Sequence, residues 1–127
     1  NPACAVIIDP KDPNSPVIET SIGDPAFTMS VSTQQFRTDY IVLTPENYVE
    51  HYLNFIYPSG TTIQLDGLDV PLPEDPLGNS TWNVLSLSVV PGVHHITSNN
   101  PIAVTAYGYD CDVSYAYPGG LNFVSIQ

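Results

Sequence analysis

The strongest constraint on this chain is the way short alternating runs are cut by turn residues. WNVLSLSVV sets Leu85, Leu87 and Val89 on one side and Ser86 and Ser88 on the other, the period of two that a half-buried strand requires. Pro91-Gly92 ends that run and Asn99-Asn100-Pro101 ends the next, VHHITS, before IAVTAYGYD begins. Upstream, FTMSVS alternates Phe27, Met29 and Val31 with small polar residues and predicts another strand with one buried face. DYIVLTP is a β-branched run that Pro45 stops, and a helical turn is admitted only there, at Pro45-Glu46. HYLNFIYP opposes Tyr52, Asn54 and Ile56 to Leu53, Phe55 and Tyr57, a strand with both faces partly covered. In TTIQLDGLDVPL, Ile63 and Leu65 alternate with Thr62 and Gln64, and Asp66-Gly67 then offers a tight hairpin turn into residues 68–72.

Thirteen prolines and eight glycines are scattered along the chain, and no strand alternates with a helical pattern. Short strands with turn punctuation predict an all-β fold, an antiparallel β-sandwich of jelly-roll type with at most one short helical turn. With 127 residues, 43% of them hydrophobic, the chain has the size and apolar content for one domain (residues 1–127) around one core. It reads as a domain cut from a longer protein, or as one whose leader has been cleaved. The start, NPACAVIIDP, lacks the basic and apolar regions of a signal peptide.

Charge excludes several partners. The net charge is -11, with Lys11 and Arg37 the only lysine and arginine. Phosphate backbones are bound by clustered Lys and Arg, so nucleic acid is excluded, and anionic membrane surfaces are disfavoured. No run reaches the length of a membrane-spanning helix. The acidity suits divalent cations, basic partners or solubility.

Cys4 and Cys111 lie near opposite ends of the chain, with no Cys-x-x-Cys spacing and no histidine beside them. They read as one disulfide formed in an oxidising compartment, the alternative being two buried thiols. Such a bond would bring DPKDPN, with Asp9, Asp12 and Asn14, beside YDCDV, with Asp110 and Asp112. Crowded carboxylates make calcium the candidate cation, although the spacing fits no EF-hand.

From Thr38 onward, TDYIVLTP, HYLNFIYPSGTTIQLDG, VVPGVHHITSNNPIAVTAYGYD and SYAYPGG occur in an order that resembles the IgGFc-binding-protein N-terminal domain family, over about residues 38–120. Gly-x-His, Ser-Asn-Asn-Pro, Tyr-Gly and Ser-Tyr-x-Tyr-Pro-x-Gly carry the resemblance. It implies a β-sandwich in a secreted or cell-surface protein, with adhesion or recognition as the usual role, and it does not imply catalysis. Residues 1–37 have no counterpart in it.

Enzyme chemistry needs a nucleophile, a base and an orienting group within reach. Gly-x-Ser-x-Gly and His-x-x-x-His are absent, and Glu74-Asp75 and Asp110/Asp112 fall in loops without a neighbouring base. His94 and His95, adjacent on one strand, point to opposite faces, one of them inward as a structural histidine. Tyr107 and Tyr109 share a face, and Tyr115 and Tyr117 share another if that segment is extended. Together with Trp82 these are the candidate ligand-binding aromatics, and sheet packing is the competing role for all five. Asn79-Ser80-Thr81 is an N-glycosylation sequon in a loop. The expected function is extracellular binding of a cell-surface glycan or protein. The alternative is a stalk or self-association module, a homo-oligomer without a ligand.

Overall fold

The structure is a computed structural model that describes residues 4–7, 11–20 and 22–120. Its elements in chain order are β1 (Cys4–Ile7), β2 (Val17–Thr20), a 3-10 turn (Thr33–Gln35), β3 (Arg37–Thr44), β4 (Glu50–Pro58), β5 (Ile63–Leu65), β6 (Leu68–Asp69), β7 (Trp82–Ser88), β8 (Gly92–Asp110) and β9 (Val113–Pro118). All pairings between strands are antiparallel. The fold class is therefore all-β, built as a curled seven-stranded sheet with a separate β1–β2 pair.

The 19-residue β8 organises the sheet. Its first half pairs with β3 and β5, and its second half with β4 and β9. A turn was expected at Asn99-Asn100-Pro101, but the strand runs straight through it. Thr97 faces Asp39 and Ile102 faces Arg37, so β8 carries extra residues at a register shift. A proline is tolerated there because a bulge interrupts the ladder and needs no N–H donor. The asparagines satisfy the neighbouring chain instead. Asn99 Oδ1 accepts from Thr62 N at 2.7 Å, and Asn100 Nδ2 donates to Thr61 Oγ1 at 3.2 Å.

Both halves of the curl face one core. β3 contributes Tyr40 and Val42, β4 Leu53, Phe55 and Tyr57, β5 Ile63, and β8 Ile96, Ile102, Val104 and Ala106. Along β4 the burial alternates without a break, as HYLNFIYP predicted. Leu53 and Phe55 are fully enclosed, and burial of a side chain of this size contributes about 1.5–3 kcal/mol.

The Asp66-Gly67 hairpin forms as expected, with φ of 52° and 82° at its two central residues, although the strand beyond it stops at Asp69. Among the described residues the one helical turn lies at residues 33–35 and not at Pro45. Its N-cap Ser32 accepts from Gln34 N. FTMSVS is not a strand: Phe27 and Met29 are 89% and 73% exposed. Its alternation is real, but no neighbouring strand pairs with it.

The disulfide is present between Cys4 and Cys111, with Cα atoms 5.5 Å apart. It holds the β1–β2 pair against the end of β8. Next to it, Ile22 bridges Cys111 and Gly23 N donates to Asp110 O at 2.8 Å.

Candidate functional site

Strand alternation divides the expected aromatics between two faces. β9 pairs with β8 so that Tyr115 lies opposite Gly108 and Tyr117 opposite Ala106, while Tyr107 lies opposite Ala116 and Tyr109 opposite Ser114. Ala106 belongs to the core. Tyr115 and Tyr117 therefore point inward and Tyr107 and Tyr109 outward.

The inward pair is occupied in structural work. Tyr115 Oη is 2.8 Å from His51 Nδ1, and His51 Nε2 is 2.9 Å from Tyr48 O. A neutral ring protonated at Nε2 donates to that carbonyl and accepts from the phenol. Burial, with smaller contributions from the neighbouring tyrosines, pushes the Tyr115 phenol up to about 12. The Tyr117 hydroxyl bonds both the N–H and the carbonyl of Leu43. Gly108 makes this arrangement fit, since a Cβ there would press on the Tyr115 ring and lie 2.5 Å from Glu50 O.

The outward pair gains a third ring that the sequence pattern alone did not single out. Tyr52 on β4 lies opposite Tyr107. Their rings stack with centroids 5.2 Å apart and planes 19° from parallel. Tyr109 packs edge-on to both, at 5.9 Å from Tyr107 and 6.1 Å from Tyr52. All three rings are half-buried. Tyr52 Oη donates to Glu50 Oε2 at 2.8 Å, and this bond to the neutral phenol is the main cause that raises the Tyr52 pKa. The Tyr107 and Ser86 hydroxyls bond each other. The signal for Tyr52 lay in HYLNFIYP, which put it on the face opposite Leu53, Phe55 and Tyr57, but only the register of β4 against β8 sets it over Tyr107.

Around the rings the same face carries Asn54, Thr105, Ser86, Ser88 and Ser114. The segment at residues 22–24 borders it: a Cβ on Gly23 would lie 3.0 Å from the Tyr109 ring, and Asp24 N donates to Ser114 Oγ at 2.9 Å. No strand of this face (β7, β4, the second half of β8, β9) contains a lysine or arginine.

Trp82, opposite Pro58 at the start of β7, shares the outer face with Ser86 and Ser88 but lies at its far end, packed edge-to-face on the buried Phe36 ring with centroids 5.3 Å apart. Asn79 is exposed in the loop before it. His94 is the inward histidine: it is buried, with Nδ1 2.8 Å from Asp66 Oδ2 and Nε2 2.7 Å from Val90 O. His95 faces outward and pairs with Asp39. Of the proposed metal ligands, Asp9 lies outside the described residues. Among the described residues Asp12, Asp110 and Asp112 join no group of three or more His, Cys, Asp or Glu side chains able to hold a metal. Asp12 Oδ1 accepts from Asn14 N and Asp110 Oδ1 from Cys111 N.

Away from the tyrosine face, a concavity of about 540 Å³ lies beside β3 and is lined by Ile41, Leu43, Pro45, Tyr48, Tyr115 and Tyr117. Ile41 and Leu43 are 69% and 57% exposed, and Val93 beside Leu43 is equally open.

Tied by a disulfide and faced with tyrosine, serine and asparagine, the chain has the build of an extracellular binding module. The family model described as IgGFc binding protein matches residues 13–108, and the chain belongs to that family. The match starts 25 residues before Thr38 (38 − 13), so part of the segment that the motifs left without a counterpart is family sequence after all. No curated protein and no solved structure matches the chain. Membership makes it, in general terms, an extracellular binding module. Among the described residues no helix is long and apolar enough to cross a membrane.

Proposed function

We propose that this chain is a recognition or adhesion module that binds a glycan or protein on a cell surface or matrix through the outer face of β7, β4, β8 and β9, without catalysing a reaction. The observation that carries this reading is the packed trio Tyr52, Tyr107 and Tyr109 on a solvent-facing sheet surface. Three half-buried rings are not needed there to close a core, and rigid tyrosines among small polar side chains are the composition of natural recognition surfaces. Their cross-strand packing holds them in place, so little side-chain freedom is lost on binding.

Glycan arrays and cell-surface binding assays, run beside size-exclusion chromatography, test this reading. The expected result is a monomer that binds, with binding lost in a Tyr52→Ala/Tyr107→Ala double variant that still folds. Binding that survives in that variant overturns it.

The apolar patch of Ile41, Leu43 and Val93 favours a second reading, a structural module that self-associates without a ligand. A net charge of -11 on every copy opposes it. Oligomers that dissociate in Ile41→Asp, together with no ligand hits, would establish it.

A further inference from the structure

The tyrosine face has a definite electrostatic character. Glu50 sits on it, bonded to Tyr52 Oη through Oε2, and that bond leaves the other carboxylate oxygen able to accept. Asp24 lies across Tyr109 from Glu50: Glu50 and Ser114 pair with Tyr109 from its two sides, and Asp24 N donates to Ser114 Oγ. Two carboxylates thus border three electron-rich rings on strands that contain no lysine or arginine, in a chain of net charge -11. Tyrosine ring faces attract cations, and a surface of one sign steers an oppositely charged partner toward it.

Building on the reading above, we propose that the face formed by Tyr52, Tyr107 and Tyr109 binds an arginine- or lysine-bearing segment of a protein partner, with the cationic group over the rings and Glu50 or Asp24 as its counter-charge. Sialylated, sulfated and phosphorylated ligands are disfavoured by the same field. Neutral sugars would stack on the rings but make no use of the carboxylates. Arginine fits better than lysine because its planar guanidinium both stacks on a ring and forks onto a carboxylate.

The test is a titration of isotope-labelled protein, followed by NMR at about 0.15 M salt so that diffuse attraction is screened. The probes are acetyl-Gly-Arg-Gly-Arg-Gly-amide, its citrulline counterpart and its glutamate counterpart. The expected result is that the arginine peptide alone shifts the amides of β4, β8 and β9 around the three tyrosines. Tyr52→Leu/Tyr107→Leu, which leaves net charge unchanged, should weaken its binding about fivefold or more, and Glu50→Gln should weaken it as well. Equal binding of the arginine and citrulline peptides at this face overturns the cationic specificity while leaving the face a binding surface. Shifts confined to acidic loops such as that of Asp75, unchanged in the leucine variant, overturn the proposal as diffuse attraction. If neither peptide perturbs the face, the proposal fails; if the glycan and cell-surface hits also survive the alanine variant, the recognition reading fails with it.

Discussion

Asp66 Oδ2 lies 2.8 Å from His94 Nδ1, a bond that ties the tip of the β5–β6 hairpin to a buried ring on β8. The other oxygen of the same carboxylate accepts from His95 N at 2.8 Å. His94 Nε2 in turn lies 2.7 Å from Val90 O, so the ring is held from both sides. A turn residue selected for its left-handed φ thus also anchors the hairpin to the long strand.

Asp66→Ala should cost about 2–4 kcal/mol, from two lost hydrogen bonds and a side chain less tolerant of φ 52°. Asp66→Asn keeps the backbone preference and should cost about 1 kcal/mol. The half-exposed carboxylate adds little through charge alone. Urea denaturation of the two variants would measure both costs.

The Asp66 carboxyl is held below its ordinary 3.8, first by the His95 N–H and then by the His94 ring. Stability from this depression is fully present above pH 3.8 and is lost as pH falls through the lower folded value. The stability gap between wild type and Asp66→Asn should therefore narrow as pH drops below that point. A gap independent of pH in acid would contradict the assignment.

Tyr115 supplies the opposite limb. Its phenol is pushed up to about 12 from 10.0 by burial, so its contribution is full below pH 10.0 and lost as pH climbs through the folded value. Tyr115→Phe leaves His51 Nδ1 without a donor and should cost about 1–3 kcal/mol. Ultraviolet titration should show one tyrosinate fewer at the alkaline end, near pH 12, in the variant than in the wild type.

Gly108→Ala should destabilise the fold by about 1–3 kcal/mol or more, because the added methyl meets the Tyr115 ring and the Glu50 carbonyl. Thermal melting would show it, and the hydrogen bond between His51 and Tyr115 should be the first to break. The Tyr-Gly and Ser-Tyr elements of the family resemblance thus meet at one place: the glycine on β8 makes room for the tyrosine on β9.

Reduction of the Cys4–Cys111 bond, or Cys4→Ser/Cys111→Ser, should cost about 2–4 kcal/mol, since it closes a sequence separation of 107 residues. Limited proteolysis should then cut first in residues 11–20, because β1 and β2 pair with each other and with no strand of the large sheet.

Local patterns were legible wherever the structure answers them locally. The Asp66-Gly67 turn needed only two residues with positive φ, and the alternation of β4 survives because β7 and β8 flank it on both edges. FTMSVS carries the same alternation, yet alternation records which side chains share a face and says nothing about whether a partner strand exists. Asn99-Asn100-Pro101 misled for the converse reason: turn-forming residues also suit a bulge within a strand. The tyrosine platform was half legible, Tyr107 and Tyr109 from the period of two, while Tyr52 depended on a pairing between strands some fifty residues apart.

The central role of β8 also governs how the chain can be made. β3, β4 and β5 all find ladder partners in residues 92–110, and β9 pairs with the same strand. Before those residues leave the ribosome or a translocation pore, only the β4–β7 and β5–β6 pairs of the large sheet can form, and isolated hairpins are marginal in water. Most of the chain must therefore emerge before the sheet can close. Folding then proceeds as one late event on the slow, millisecond-to-second scale of non-local β topologies, with oxidation of Cys4 and Cys111 sealing it afterward. A chain arranged this way is well suited to being threaded unfolded across a membrane and acquiring its shape on the far side.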